Sequence, residues 1–278
     1  MCSRLLVRIL AAVTTWQRYL PPHGALCEAP TMDRAVDIDD VRQITGSDEM
    51  ILWTLGNVGA TRLEAWVSPL RDAVLVAGTN RSGHDRLGLW GAETSLVPLA
   101  QAVRRVVGKT YRPIGEPGLV DALVNADNNL VRVPPFCWMQ TQLAPAGASA
   151  DHDVVQLDES DDVLIRALLS EEFAGSHELP GIAGVECWIG IRNNLGGLDA
   201  VGALAWSTPD VGFLSGIAVR RPASGRGLGR AITDHLVALS LKQRPVAALM
   251  VDAHNKPAWR LYSSAGMSTR FLAAAHAR

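Results

Sequence analysis

A glycine-rich segment at residues 219–232 has the residue types and spacing to bind a charged ligand. Its glycines are Gly225, Gly227 and Gly229. The apolar run 212–219 before them predicts a buried strand, and the stretch 232–239 after them has apolar residues at helical spacing. A glycine turn lets the backbone approach a ligand closely, and the free N–H groups of a helix start point at it. The segment therefore predicts a site for a phosphate or pyrophosphate group.

The spacing of the glycines excludes two common nucleotide-binding loops. A P-loop requires Lys-Ser or Lys-Thr after its glycines, and neither follows here. A dinucleotide fingerprint that begins at Gly225 needs a small residue where Arg230 stands. One that begins at Gly227 needs a small residue where Ile232 stands.

A second motif follows about one strand and one helix later. The apolar run 246–252 predicts a buried strand, and residues 255–267 read Asn-Lys-Pro-Ala-Trp-Arg-Leu-Tyr-Ser-Ser-Ala-Gly-Met. Asn255 is predicted to cap a helix that has Pro257 near its start. Gly266 is predicted to end that helix before the last strand.

The two motifs together resemble those of the GNAT superfamily of N-acetyltransferases. The first fits the family's Gln/Arg-x-x-Gly-x-Gly/Ala loop, although Ser224 stands where Gln or Arg is usual. The second fits Asn-x-x-Ala-x-x-Leu-Tyr-x-x-x-Gly-Phe, with Met267 in the Phe place. The resemblance implies that the loop binds the pyrophosphate of acetyl-CoA, which is a co-substrate, and that no metal ion takes part.

The resemblance also implies roles for individual residues. The backbone at 217–219 would pair with the pantetheine arm and supply the oxyanion donor. Tyr262, in the place of the family's helix tyrosine, is the catalytic candidate, an acid for the leaving thiolate. The cofactor-binding candidates are Ile217, Ala218, Val219, Ser224, Gly225, Arg226, Gly227, Leu228, Gly229, Arg230 and Asn255.

Direct transfer to an amine also needs a group that accepts a proton. A primary alkyl amine has a pKa of about 10, so a base or a water chain must take its proton before attack. The sequence has no Gly-x-Ser-x-Gly elbow and no cysteine in an activating motif, which agrees with direct transfer. Four residues remain open as the base: Glu178, Glu186, Asp252 and His254.

Composition limits the partners and the compartment. The chain has 278 residues and a net charge of −2, which argues against a dedicated nucleic-acid binder. Its four cysteines are far apart and show no metal or redox spacing, as in a reducing compartment. We therefore expect a cytoplasmic protein that acts on a small-molecule or peptide amine and binds neither nucleic acid nor membrane. A homodimer is left open.

Residues 1–31 differ from the rest of the chain. Their apolar core is too short for a transmembrane span and makes a poor signal peptide. We predict a poorly ordered N-terminal extension. A secretory or membrane-surface segment is the alternative.

The remaining chain divides at a linker, residues 144–152, into halves at 32–143 and 153–278. The first half reads as helix, three strands, helix, strand, helix, strand. The second repeats this order after one added strand, with Ser160 predicted to cap its first helix. This order predicts an internal duplication.

The first half lacks the glycine loop. Its equivalent segment, 91–95, has no spaced glycines and places Glu93 where a pyrophosphate would sit, so like charge would repel the ligand. The first half is therefore predicted to be a degenerate GNAT-like domain, kept for packing or as one wall of a substrate cleft. An unrelated α/β domain is the alternative.

The sequence thus predicts a mixed α+β fold with a central twisted mixed sheet flanked by helices. The predicted function is transfer of the acetyl group of acetyl-CoA directly to a primary amine of a small molecule or protein. Two alternatives from other classes are a non-catalytic acyl-CoA-binding or sensing module and an enzyme for a longer acyl group. The tandem arrangement is also similar to that of mycothiol synthases, which acetylate a cysteinyl amine.

Overall fold

A computed structural model describes residues 33–34, 37–56, 64–145 and 152–278. The predicted N-terminal extension, residues 1–31, lies outside the described residues. Within the described ranges, no helix has the length and apolar character needed to cross a membrane.

The described strands form one continuous mixed sheet of thirteen strands. They are β1 (Asp33–Arg34), β2 (Ala65–Val67), β3 (Ala73–Arg81), β4 (His84–Gly91), β5 (Arg112–Gly115), β6 (Leu130–Arg132), β7 (Phe136–Thr141), β8 (Val154–Leu157), β9 (Val185–Arg192), β10 (Leu198–Ala205), β11 (Val211–Val219), β12 (Val246–Asp252) and β13 (Ser268–Ala277). Their order across the sheet is β1-β2-β3-β4-β5-β13-β7-β12-β11-β10-β9-β8, and β6 pairs with β13 beside this path.

Seven α-helices lie in the same part of the chain. They are α1 (Ile38–Thr45), α2 (Glu49–Leu55), α3 (Glu93–Val107), α4 (Pro117–Ala126), α5 (Asp162–Glu172), α6 (Leu228–Leu241) and α7 (Lys256–Ser264). Helices cover both faces of the sheet, as the alternation along β3 shows. Val74 and Val76 pack in one cluster with Ile51 of α2, whereas Leu75 packs in another with Leu96 of α3. Successive strand residues point to opposite faces of a sheet, so α2 and α3 lie on opposite faces. The predicted mixed sheet flanked by helices is confirmed.

The two halves of the chain exchange their last strands. In each half, antiparallel strands are followed by one parallel pair, β4 with β5 and β11 with β12. Strand β13 then lies between β5 and β7, and β7 lies between β12 and β13. Each half therefore needs a strand from the other to complete its sheet. The predicted boundaries at 143 and 153, and the origin of the first half by duplication, stay predictions.

Three aromatic side chains pack together where the halves meet. Trp53 of α2 stacks on Phe213 of β11 with ring centroids 4.5 Å apart, and Trp138 of β7 lies 5.6 Å from Trp53. All three are almost fully buried. Aromatic pairs of this kind add about 0.5–1.5 kcal/mol beyond the burial of their area. The position of β11, which lines the site described below, thus depends on the first half.

The prediction that Ser160 caps a helix is wrong. A 3₁₀ turn, Glu159–Asp161, precedes α5, and its cap is Asp158. The Asp158 carboxylate accepts from the Ser160 backbone N at 2.9 Å and from its hydroxyl at 2.6 Å. A carboxylate two residues earlier is a stronger acceptor than the serine hydroxyl, which here acts as a donor.

Candidate active site

A cleft opens where the parallel strands β11 and β12 separate. They pair only over 211–213 and 246–248, at the start of both strands. Beyond this point residues 214–219 and 249–252 line a cavity of about 340 Å³, referred to below as the cleft. Separated strands leave backbone N–H and C=O groups without a ladder partner, so this edge of β11 is available to an extended ligand.

The edge of β11 is irregular where the oxyanion donor is expected. The register between β10 and β11 shifts between Val201 and Ala203, which leaves a bulge at Gly216 and Ile217. Gly216 has φ of +59°, and a Cβ there would lie 2.9 Å from the Trp188 ring. Bulges bend a strand and leave a residue outside the ladder. Residues 217–219 line the cleft directly after this bulge.

The glycine loop leads from β11 to the start of α6. After the 3₁₀ turn Arg221–Ala223, Gly225 and Gly227 adopt left-handed backbone conformations with φ of +78° and +82°. Gly227 is the N-cap of α6, and no side chain caps that helix. The N–H groups of the first turn of α6 are therefore free of a side-chain acceptor, which is the arrangement that binds anions.

Gly229 serves packing. It lies in the first turn of α6, where a Cβ would stand 3.0 Å from Leu261 of α7 and 3.4 Å from Val219. A larger residue here would separate α6 from α7 and β11. Gly229 thus holds the helix start against the strand that lines the cleft.

The side chains of the loop make weak contacts within the protein. The Ser224 hydroxyl lies 3.5 Å from the Arg220 carbonyl, at the limit of a hydrogen bond. The Arg226 guanidinium lies 3.5 Å from Asp199 and is largely exposed. Roles for both residues in cofactor binding stay predictions, as does the role of Leu228, which is buried under the loop.

Arg230, another predicted cofactor residue, is already engaged. Its Nε lies 2.8 and 2.7 Å from the two carboxylate oxygens of Asp234, and its Nη1 donates to the Ser264 carbonyl at 3.1 Å. The guanidinium therefore ties α6 to the end of α7. Its backbone N–H lies in the free first turn of the helix.

The second motif lies on the other side of the cleft. The Asn255 side chain accepts from the Ala258 backbone N at 3.2 Å, so Asn255 caps α7 as predicted. Gly266, with φ of +82°, follows the helix end, and the Met267 N–H donates to the Tyr262 carbonyl at 3.1 Å. The predicted helix end is confirmed.

Tyr262 projects from α7 to the lining of the cleft, together with Asn255 and Ala258. The side chain is 8% exposed, and burial raises the pKa of the Tyr262 phenol to about 12. Its hydroxyl has no hydrogen-bond partner among the described residues. Tyr262 is thus a neutral donor at ordinary pH that is not committed to another group.

Of the four residues left open as the base, two line the cleft. Glu178 is 4% exposed and accepts from the Ser215 hydroxyl at 2.5 Å and the Ser176 hydroxyl at 2.7 Å. Asp252, at the end of β12, also lines the cleft and accepts from the backbone N of His254 at 2.8 Å. The other two, Glu186 and His254, are not among the lining residues, and Glu186 pairs with Arg244 at 2.7 Å.

The first half of the chain also reaches the cleft. Ser82, in the β3–β4 turn, is one of the lining residues. His84 contacts His177 edge to face, with ring centroids 4.8 Å apart. Gly83, with φ of +72°, packs so closely that a Cβ would lie 3.0 Å from the His177 ring. Sequence reasoning predicted a cleft wall in general terms but missed these residues, since no local pattern links positions 83 and 177.

This contact predicts that Gly83→Ala lowers turnover of the acceptor. The methyl group would displace His177 and the loop that carries Glu178, so we expect kcat/KM for the acceptor to fall about tenfold, the effect of a small misplacement. Binding of CoA should not change. Gly196→Ala is the matched control, because Gly196 has φ of +80° in another hairpin turn and open space around its Cβ position. Equal kinetics for the two variants would contradict the role of the turn.

The histidine contact also predicts a pH dependence of stability. Burial, together with Arg112, Arg86 and His177, lowers the pKa of His84 from 6.5 to about 4, and its Nε2 lies 3.0 Å from Arg112 Nη1. Because the pKa of His84 is about 4 in the folded protein and 6.5 in the unfolded chain, the contribution of neutral His84 to stability is complete above pH 6.5. That contribution is lost as pH falls through about 4. Urea unfolding of the wild type should show this loss, and His84→Gln should reduce it. The exposed His254→Gln should behave like the wild type.

The first half has no equivalent of the glycine loop. Strand β4 ends at Gly91 and α3 begins at Glu93, so only Ala92 lies between them. A Cβ at Gly91 would stand 2.1 Å from the Asp72 carbonyl oxygen, so this turn is packed against protein. Strands β4 and β5 also separate after Gly88 and Ile114, and α3 also starts without a side-chain cap, so the glycine loop is what distinguishes the second half from the first.

A sheet opened between two parallel strands, with a glycine loop leading to an uncapped helix start, is the arrangement that the resemblance of the two motifs implies. Residues 158–267 match the model of the acetyltransferase (GNAT) family, which supports the resemblance of the two motifs to that family. No curated protein sequence matches the chain.

Solved structures share the fold over both halves. The GCN5-related N-acetyltransferase from Sphaerobacter thermophilus is 15% identical, with a TM-score of 0.55 over 91% of this chain and 96% of that chain. The one from Kribbella flavida is 14% identical, with a TM-score of 0.54 over 87% and 96%. A GCN5-related N-acetyltransferase-like protein from Streptococcus suis is 12% identical, with a TM-score of 0.51 over 87% and 98%. At these identities the likeness concerns the fold alone.

Proposed function

We propose that the protein transfers the acetyl group of acetyl-CoA directly to a primary amine of a small molecule or peptide. One observation carries this proposal: a free strand edge and an uncommitted tyrosine line the same cleft, and the glycine loop leads from that strand to an uncapped helix start. The strand edge suits the amide groups of pantetheine. The helix start suits the pyrophosphate. The tyrosine suits the sulfur that leaves.

The residues present fit acetyl-CoA as a co-substrate. The first-turn N–H groups of α6 would bind the pyrophosphate, because they have no side-chain acceptor. The backbone at 217–219 would hold the pantetheine arm and donate a hydrogen bond to the thioester oxygen as charge develops there. Asn255 keeps α7 in place through its cap and lines the same cleft.

The reaction balances without an acyl-enzyme. The acceptor ammonium loses one proton and its nitrogen then attacks the thioester carbonyl carbon. The new N–C bond forms and the C–S bond breaks. The nitrogen loses a second proton. Tyr262 donates its phenolic proton to the leaving sulfur and recovers one from the reacting nitrogen or solvent. The products are the amide, CoA thiol and one proton released to solvent.

A second function is favoured by one residue. Ser224 stands where the family has Gln or Arg, and its hydroxyl lies 3.5 Å from a carbonyl of its own loop. A shorter side chain gives the cofactor one contact fewer. A non-catalytic acyl-CoA-binding module is therefore the alternative, and it predicts binding of CoA without turnover.

Release of CoA thiol from acetyl-CoA, measured with a panel of amines, tests the proposal. Calorimetric titration with CoA provides the matched measurement of binding. Thiol release that depends on the amine, together with an acetylated product in mass spectrometry, is the expected result. CoA binding without turnover of any amine would favour the binding module. Absence of CoA binding would contradict both.

A further inference from the structure

Glu178 is a buried carboxylate in the cleft with no cation beside it. It is 4% exposed, and none of the ion pairs within the described residues includes it. Burial of an ionised carboxylate is costly unless hydrogen bonds or an opposite charge compensate it. The two serine hydroxyls supply part of that compensation, one to each carboxylate oxygen. Each oxygen keeps acceptor capacity for a further donor.

Glu178 lies next to the bulge of β11. A Cβ at Gly216 would stand 3.5 Å from the Cβ of Glu178, and Ser215, the residue before the bulge, donates to the carboxylate. Residues 217–219, whose backbone is assigned to the thioester end of the co-substrate, follow at once. A nitrogen held by Glu178 would therefore lie beside the carbonyl that it attacks.

The other charges of the cleft differ from Glu178 in their contacts. The titratable groups that line it are Glu172, His177, Glu178, Asp252 and Tyr262. Glu172 accepts from the Arg221 backbone N at 2.9 Å and lies 3.3 Å from its Nε. Asp252 is exposed and holds a backbone N–H. No Lys or Arg is among the lining residues that the structure describes.

From this arrangement we propose that Glu178 binds the ammonium group of the acceptor and receives its first proton. The acceptor is accordingly an amine without a carboxylate or phosphate group. An ammonium has three donors and positive charge, which suit the remaining acceptor capacity of a buried carboxylate. An anionic acceptor would meet three carboxylates, of which only Glu172 is paired with a cation, and that cation, Arg221, is not among the lining residues. The inference rests on the proposed function and names the acceptor class of the same cleft.

The proton transfer fits the reaction above. The N–H⁺ bond breaks, its electron pair stays on nitrogen, and the proton moves to a Glu178 oxygen. The neutral amine then attacks, and Glu178 returns the proton to solvent. The Ser176 and Ser215 hydroxyls hold the carboxylate in place throughout. They act as positioning residues.

The test uses the full chain, acetyl-CoA and three amines of similar length: butylamine, putrescine and γ-aminobutyrate. Butylamine and γ-aminobutyrate differ by one carboxylate. We expect kcat/KM to be at least about tenfold higher for butylamine and putrescine than for γ-aminobutyrate, since its carboxylate would meet like charges at close range. A preference for γ-aminobutyrate would overturn the assigned acceptor class.

Glu178→Gln should lower kcat/KM for butylamine by about 10²–10³-fold, the usual range for loss of a proton acceptor. The loss should shrink as pH rises toward about 10, where free amine forms in solution. Glu178→Asp should recover part of the activity. Asp161→Asn is the control, because Asp161 is also a buried carboxylate but lies outside the cleft lining. Its carboxylate pairs with Arg192 at a distance of 2.9 Å.

Binding measurements separate the two proposals. If no amine is acetylated, but CoA-loaded protein binds putrescine in calorimetry and Glu178→Gln does not, the ammonium site stands and the proposed catalysis fails. If amines are acetylated and Glu178→Gln matches the wild type at every pH, the site fails and the proposed function stands. A protein that neither binds nor acetylates any of the three amines contradicts both.

Discussion

Gly227→Asp is expected to raise the dissociation constant of CoA by about a hundredfold or more. Gly227 caps α6 with φ of +82°, directly before the free N–H groups of the first turn. A carboxylate at this position would accept those N–H groups itself and meet the pyrophosphate at close range. Two like charges 4 Å apart at an effective dielectric constant of 20 repel by about 4 kcal/mol, which exceeds the hundredfold change expected.

The loss should not come from unfolding. Aspartate is among the residues that tolerate a left-handed backbone, and it is a favoured N-cap. A Cβ at Gly227 would have only His152 nearby, at 3.5 Å, which is an ordinary contact. We therefore expect the melting temperature of the variant to stay close to that of the wild type, as measured by calorimetry.

Two variants serve as controls for this prediction. Gly227→Asn adds nearly the same volume without charge, so the difference between Asn and Asp reports the repulsion. Gly196→Asp places the same residue at φ of +80° in an open turn outside the cleft, and should leave CoA binding unchanged. If Gly227→Asp binds CoA like the wild type, the glycine loop does not hold the pyrophosphate.

Local patterns predicted most of the elements that position the site. The strand predicted at 246–252 is β12, with the same bounds, because a short apolar run between turn residues is a local signal. The cap at Asn255 and the end at Gly266 follow from side-chain size and backbone freedom, which are also local. Arg230 is an exception, because its side chain was predicted to bind the cofactor and instead pairs within the protein. An Arg-Asp pair at i and i+4 on a helix predicts the ion pair with Asp234 that the structure shows.

The sequence did not predict that the two halves exchange their last strands. Strands β7 and β13, of six and ten residues, each contain an apolar run, so either could complete either half. The choice depends on the packing of the whole sheet, including Trp53 against Phe213, residues 160 positions apart in the chain. Cross-strand contacts at such separations have no local signature.

The burial of Glu178 in the cleft also depends on contacts between residues that are distant in the sequence. A glutamate in a loop of small and polar residues is usually solvated. Its burial depends on Ser215 in β11 and on the bulge at Gly216, neither of which is near it in the sequence. The proposed cofactor side of the cleft is built from contiguous motifs, whose strand, cap and helix end follow from local patterns. The proposed acceptor side is assembled from three separate segments, including the β3–β4 turn, so the sequence left Glu178 as one of four candidates and did not indicate its contacts.

Tyr262→Phe is expected to lower kcat by about 10²–10³-fold, the range for loss of a positioned acid. The dissociation constant of CoA should stay nearly the same, because the ring and its packing are retained. Burial raises the pKa of the phenol to about 12, so the wild-type side chain keeps its proton throughout the working pH range. We therefore expect that the wild type loses no activity through ionisation of Tyr262 up to about pH 10.

The melting temperature of Tyr262→Phe distinguishes a role of Tyr262 as an acid from a role in packing. The Tyr262 hydroxyl has no hydrogen-bond partner among the described residues, so its removal leaves no buried group unpaired there. The melting temperature of Tyr262→Phe should thus match that of the wild type. Tyr111→Phe is the control, because burial also raises the pKa of Tyr111, which lies outside the cleft lining. Turnover of Tyr262→Phe at the wild-type rate would show that the leaving sulfur takes its proton from another group.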